Sequence, residues 1–397
     1  MEFQPVIMAA GRGSRMTDLT AKCPKALLPI GNMPMIWYPV NMLEKAGFEE
    51  AIIVVLESCQ AEIQKALVEI CQVKMRLDFV GISEDNLGTA DSLRNLKDKI
   101  KTDILVVSCD LVTDVSLHQL ANVHRKYDSS LTLLLSPLPS QYVDIPTPGV
   151  KSRKRPEKDF VGFDDKGDRV LFMASEADLE DTFTMRKSVL KKHPFINIKS
   201  GLTDCHLYVM KKWIIDYLAD SQDKTSVKGE LVPYLIKKQF AKPKKPEKEL
   251  LTTNVSIISE EVKPDIFSFS SEDEIITQIR EMSTWIDHKG DMKECYHGDR
   301  IRCYAYVQNN GFCVRANTIS AYNESNKQVG SECLVAEGVT IGEKVSIKRS
   351  IIGKHCSIGD KCKIANSLIM DYVTVSESCN IQGSIICANS HIGENVS

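Results

Sequence analysis

An apolar run at residues 5–10 opens directly into Gly11-Arg12-Gly13-Ser14-Arg15-Met16. Glycines at the end of a strand let backbone N–H groups come close to phosphate oxygens, and an arginine adds a planar, permanently charged fork. The chemistry this suits is the holding of phosphate. The loop does not have the G-x-x-x-x-G-K-[ST] spacing of a Walker loop, nor the third glycine and downstream acid of a dinucleotide fingerprint. A second stretch, Leu105-Val106-Val107-Ser108-Cys109-Asp110, is a strand that ends in a carboxylate. Taken alone, an aspartate there is most often a turn or capping residue. The 13 cysteines are odd in number and include no C-x-x-C pair, so neither zinc nor thioredoxin-type chemistry is indicated.

Such side chains need a frame, and the first 136 residues supply one. Runs at 5–10, 51–56, 77–82, 104–109 and 131–135 read as short strands, apolar almost throughout. Helices are expected between them at 61–71, 91–100 and 117–127, with Ser58, Thr89 and Ser116 as their caps. Strands buried on both faces and separated by helices predict a doubly wound parallel α/β sheet, Rossmann-like, whose ligands sit at the C-terminal strand ends. Further strands are expected within 160–173, 202–209, 301–307 and 311–315, and helices at 211–217, 230–238 and 319–327. Residues 137–158, with Lys151-Ser152-Arg153-Lys154-Arg155, read as a solvated basic loop, and 241–264 as a linker rich in Lys, Pro and Glu. The whole is 397 residues with 50 Lys and Arg against 53 Asp and Glu, a net charge of −3. That balance argues against a nucleic-acid or membrane-surface binder. No apolar run approaches the length of a membrane span, and the N-terminus has no secretory pattern, so a reducing, cytosolic location is expected.

The last part of the chain is periodic. Ile or Val recurs at 335, 341, 347, 352, 358, 364, 369, 375, 381, 386 and 392, with spacings of 6, 6 and 5 that sum to a 17-residue coil. Two residues before each station stands a Cys, Ser or Val, among them Cys333, Cys356, Cys362 and Cys379. Positions i and i−2 of a strand share a face, so each coil is three short strands around one axis with a large and a smaller inward residue on every side. This is a parallel β-helix, which resembles the left-handed hexapeptide-repeat family; the hand comes from that resemblance. The expected organisation is an α/β domain over 1–328 and the β-helix over 331–397.

With Pro24-Lys25-Ala26-Leu27-Leu28-Pro29-Ile30-Gly31-Asn32 added to it, the glycine loop resembles the signature of the sugar-phosphate nucleotidyltransferases. That family joins a nucleoside triphosphate to a sugar 1-phosphate and expels pyrophosphate. The resemblance implies that Gly11, Gly13 and Arg15 hold phosphates, that Lys25 faces the phosphate under attack, that Gly88 in Leu87-Gly88-Thr89-Ala90 belongs to the base-contacting turn, and that Asp110 is the metal-holding acid. The catalytic machinery is nevertheless incomplete. Where the family has a second aspartate this chain has Arg315, where several members have a base-reading glutamine it has Ser83, and the Glu-Lys-Pro motif has no counterpart in Phe172-Met173-Ala174-Ser175-Glu176. The six residues named are therefore read as a remnant nucleotide or phosphate site, with no catalytic residue, no metal and no cofactor.

Stretches along the whole chain resemble one noncatalytic branch more closely, the gamma subunits of eukaryotic translation initiation factor 2B. They include Ser14-Arg15-Met16-Thr17-Asp18-Leu19-Thr20, Gly88-Thr89-Ala90-Asp91-Ser92-Leu93-Arg94 and Ser378-Cys379-Asn380-Ile381-Gln382-Gly383-Ser384. This resemblance implies a nonenzymatic subunit that pairs with the epsilon subunit and the other subunits of the exchange factor, with initiation factor 2 as the substrate of the complex and no direct contact with nucleic acid or membrane. The alternative is an active sugar-1-phosphate nucleotidyltransferase, such as a mannose-1-phosphate guanylyltransferase, which would need another acid in place of Arg315.

Overall fold

The computed structural model describes residues 2–83, 87–137, 158–178, 184–241, 265–270, 299–330 and 333–397, together with Ile275, Gln278 and Met282. The expected basic loop and linker lie outside the described residues but for their end positions. In the α/β part the strands are β1 Phe3–Met8, β2 Pro29–Ile30, β3 Met33–Pro34, β4 Glu50–Leu56, β5 Arg76–Ile82, β6 Asp103–Ser108, β7 Leu111–Thr113, β8 Leu131–Pro137, β9 Asp159–Phe163, β10 Val170–Ser175, β11 Asn197–Met210, β12 Cys303–Val307 and β13 Cys313–Arg315. The helices are α1 Thr17–Thr20, α2 Trp37–Lys45, α3 Glu57–Lys65, α4 Thr89–Arg94, α5 Leu117–Lys126, α6 Lys187–Lys192, α7 Lys212–Asp220, α8 Val232–Lys238, α9 Ile266–Phe269 and α10 Ile319–Val329.

The main sheet runs β10-β9-β11-β6-β1-β4-β5, with β8 pairing β11 and β12. Its core is parallel: β1 lies between β4 and β6, and β4 pairs β5. Because successive side chains point to opposite faces, Val6, Ile52, Val54, Ile104 and Val106 enter one apolar core while Ile7, Ile53, Val55, Leu105 and Val107 enter the other. Two cores explain why these strands read as unbroken apolar text. Beyond β6 the sheet turns mixed, since β11 runs antiparallel to β6, β8 and β9. The expected caps are revised. Ser58 lies inside α3 rather than before it. Thr89 is already helical; Gly88 is the cap residue, and the Thr89 hydroxyl instead accepts the distant Val227 N–H at 2.9 Å. Ser116 does precede α5, but its side chain makes no capping bond.

The β-helix is built of three parallel sheets whose register steps by one coil: Ile352 opposite Ile369, Ile369 opposite Ile386, Ile358 opposite Val375, and Ile364 opposite Ile381. The inward assignment holds in the middle coils, where Ile352, Cys356, Ile358, Cys362, Ile364, Ile369, Val373, Val375, Cys379 and Ile381 form one core. In the first coil Val335 and Ile341 stand in register with inward Ile352 and Ile358, yet they are 46% and 47% exposed and Cys333 is exposed, because no described coil covers them. The corners share one conformation: Lys344, Arg349, His355, Lys361, Asn366, Tyr372, Ser378, Asn389 and Asn395 all have positive φ. Each such non-glycine corner costs roughly 1–2 kcal/mol, a cost offset by the stacked strands on either side. Small polar side chains tie coil to coil. Ser367 Oγ accepts the Ser384 N–H and Asp371 Oδ1 the Lys354 N–H, at 3.2 and 2.7 Å.

The two parts meet in a common apolar cluster of Met16, Leu28, Ile30, Met35, Val112, Ala316 and Tyr322 from the α/β side and Ile351, Leu368 and Met370 from the coils. The β2–β3 hairpin is its hinge plate. Asn32 Nδ2 donates to Ile352 O and Gly31 N–H to Asn326 Oδ1, each at 3.1 Å.

Candidate functional site

The glycine loop leaves β1 and turns at Gly13, whose φ is +75°. A Cβ there would fall 2.8 Å from Thr20 Cγ2 and 3.4 Å from Lys25 Cβ, so glycine is required by both the backbone and its neighbours. At Gly11 a Cβ would meet nothing within 4 Å, which leaves that stretch of backbone open to an approaching group. Arg15 is exposed beside it, and a tight turn, Lys25–Leu27, directs Lys25 inward.

Lys25 meets Asp110, and so does Arg315. Asp110 follows β6 and is fully buried; its Oδ1 accepts from Ser108 Oγ at 2.6 Å and from Arg315 Nε at 3.2 Å. Its Oδ2 accepts from Arg315 Nη2 at 3.2 Å and from Lys25 Nζ. The β7–β13 ribbon sets this up, since Arg315 stands opposite Leu111 and the Ala316 N–H donates to Asp110 O at 2.8 Å. Burial opposes ionisation of Asp110 most strongly, yet Arg315 and then Lys25 outweigh it and hold the carboxyl well below the usual carboxylate range. A divalent cation needs free carboxylate oxygens. Asp110 has none, and a guanidinium occupies the facing position, so these residues do not fit a metal.

Behind the pair lies a polar group that motif reading missed. Asp204 accepts the His206 N–H at 2.8 Å and the Tyr208 hydroxyl at 2.7 Å, and Lys228 pairs with Asp159 at 2.8 Å. His206 has φ +52° and sits where the register of β11 slips against β8. Burial, then the neighbouring Arg315, push its imidazole well below the ordinary histidine value. A signal was available: Asp204, His206 and Tyr208 alternate with Cys205, Leu207 and Val209 in the buried half of the strand, and Ser108 stands two residues before Asp110. Gly88 is not part of this constellation. Its missing side chain is spent elsewhere, because a Cβ there would lie 2.0 Å from the carbonyl oxygen of Thr225. Among the described residues no group of three His, Cys, Asp or Glu could hold a metal ion, and no helix is long and apolar enough to cross a membrane.

A family model for nucleotidyl transferases matches residues 4–142, and one for the EIF2B subunit epsilon LbH domain matches residues 315–397. The translation initiation factor eIF2B subunit gamma of Dictyostelium discoideum is 30% identical over 412 residues, covering 89% of this chain and 88% of that protein. The chain belongs to the eIF2B gamma-subunit family. The gamma subunit of Schizosaccharomyces pombe agrees, at 31% identity over 87% of this chain and 74% of its own length. The likeness to the mannose-1-phosphate guanyltransferase of Saccharomyces cerevisiae is weaker and partial, 27% over 40% of this chain and 46% of that enzyme. The chain thus combines a nucleotidyltransferase-like α/β domain with a left-handed β-helix, and Asp110 of the first is held by two cations.

Proposed function

We propose that this chain is a noncatalytic structural and regulatory subunit of the guanine nucleotide exchange factor that recycles translation initiation factor 2 from GDP to GTP in the cytosol, acting with an epsilon subunit and the factor's other subunits. The observation that carries the noncatalytic part is the engagement of both Asp110 oxygens by Ser108, Lys25 and Arg315. Nucleotidyl transfer proceeds mostly by charge neutralisation around a ligated metal. Here the charges are already neutralised within the fold. Gly11, Gly13, Arg15, Lys25 and Asp110 are then a retained phosphate or nucleotide cradle without turnover, from which Gly88 stands apart, within a domain spanning 1–328 that is followed by coils over 331–397. Pairing with an epsilon subunit is supported by the match of residues 315–397 to the epsilon β-helix family, since like coils present like surfaces.

The test has two arms. Given magnesium, a nucleoside triphosphate and a sugar 1-phosphate, the purified chain releases no pyrophosphate above background; turnover abolished by Asp110→Ala would overturn the noncatalytic reading. The chain alone does not speed GDP release from initiation factor 2, but raises the rate when added to an epsilon subunit. Strong exchange by the isolated chain, or no effect on the epsilon subunit, would overturn the subunit reading.

A further inference from the structure

Far along the chain from the Asp110 loop, residues 184–201 carry Arg186, Lys187, Lys191, Lys192 and Lys199 and no acidic residue. Lys192 is paired with Asp299 at 2.5 Å, and the Lys199 ammonium lies 5.4 Å from the Phe163 ring centroid. Arg186, Lys187 and Lys191 are exposed, with no ion-pair partner among the described residues. Interleaved with them, Leu190, Phe195 and Ile198 are 50%, 70% and 44% exposed. Helix α6 already has its inward residue, Val189, which packs with Leu171 and Phe240. Leu190, Phe195 and Ile198 lie outside that cluster, and large apolar side chains left exposed this close together along the chain point to a contact surface.

The backbone adds a second feature. Residues 197–201 of β11 are exposed, and over this stretch β9 pairs only one edge, with Asn197 opposite Phe163 and Lys199 opposite Val161. On the other edge β8 pairs β11 from Leu202 onward, opposite Pro137. Over 197–201 no described residue pairs that edge. An exposed strand edge flanked by apolar side chains is a template for an added strand.

We propose that this face docks an extended acidic segment of another subunit of the exchange factor, added as a strand along residues 197–201, its apolar side chains against Phe195 and Ile198 and its carboxylates near Lys187 and Lys191. The partner's identity rests on the subunit reading above; its chemistry rests on the charge of the patch. A membrane surface fits less well, because α6 has six residues, too short to lie as an amphipathic anchor. Single-stranded RNA would call for a series of stacking rings, and Phe195 is the one exposed aromatic residue among the described positions of 184–201.

The experiment is amide hydrogen exchange on the full chain, free and assembled with the epsilon and remaining subunits, alongside two variants, Lys187→Glu/Lys191→Glu and Phe195→Ser/Ile198→Ser. The expected result is at least tenfold slower exchange at residues 197–201 on assembly. Each variant, with an unchanged thermal melt when free, should weaken assembly about tenfold, and the charge variant should also flatten its salt dependence. Normal assembly with fast exchange at 197–201 overturns the docking proposal alone. So does slow exchange there in the free chain, which would mean that the edge is covered from within. Binding of the free chain to phosphatidylserine vesicles or to poly(U), lost in the charge variant, replaces the proposal with a membrane or RNA surface. Failure of the unaltered chain to assemble overturns the subunit reading itself.

Discussion

In the β-helix Ile352, Ile369 and Ile386 occupy one place in successive coils, whereas around Asp110 no position is used twice. Ser108, Lys25 and Arg315 reach the same carboxylate from three separate parts of the chain, the last two 85 and 205 residues away. Burial is solved in the coils by repeating an uncharged answer. Around Asp110 it is solved by balancing charge, so that removing one partner leaves a cost that the others were sharing. The two regions therefore differ in what breaks them, in the coils any inward charge and around Asp110 any loss of a partner.

The largest effect is expected in the coils. Ile358 is 3% exposed between Thr340–Ile341 and Thr374–Val375, and Ile358→Asp places an unpaired carboxylate in that stack. We expect a loss of about 4 kcal/mol or more, read as rapid hydrogen exchange throughout 340–392 while β1, β4 and β6 stay protected. Slow exchange in the coils would refute the inward position. Next is Arg315→Met, which leaves buried Asp110 with Lys25 as its one cation beside the Ser108 hydroxyl and should cost about 3 kcal/mol at pH 7. The sign with pH is fixed. A carboxyl whose folded pKa is depressed contributes stability that is full above its unfolded value, about 3.9, and is lost as pH falls through the folded one. The gap between native and variant in urea melts should thus be widest at neutral pH and narrow below about pH 4; a gap independent of pH would mean that Arg315 acts by packing. The smallest effect is Ser367→Ala. Its hydroxyl donates to Ala365 O at 2.8 Å and accepts the Ser384 N–H at 3.2 Å, and its loss should lower stability by about 1 kcal/mol. Equal destabilisation by Ser367→Ala and Arg315→Met would erase the contrast between the two regions.

The same contrast governs what could be read from the residues alone. The coil period is visible because every turn repeats it; burial was not, since Val335 and Ile341 keep the register of Ile352 and Ile358 but have no described coil to cover them. The left-handed corners were not read from the residues: Asn366, Asn389, Asn395, Gly338 and Gly383 suit a positive φ by type, but Lys344 and Tyr372 adopt the same φ without that preference. The parallel core strands could be read from their apolar runs. The antiparallel entry of β11 could not, because direction depends on the path of the chain and not on composition. At the site Lys25, Asp110 and Arg315 were each singled out, but that they meet is a tertiary fact. Thr89 shows the converse: its hydroxyl fits a cap by type, and the fold gives it to Val227.

The seam between the two parts has a mechanical side. Lys25 is followed at once by the β2–β3 hairpin, whose Asn32 grips the coil carbonyl of Ile352, and Arg315 is followed by α10, whose Tyr322 joins the same cluster as Ile351 and Leu368. Both cations on Asp110 are thus mounted on short tethers to the solenoid. Any displacement of the coils against the α/β part would therefore act on two partners of one buried carboxylate at once, and Asp110 is where the two would register it together.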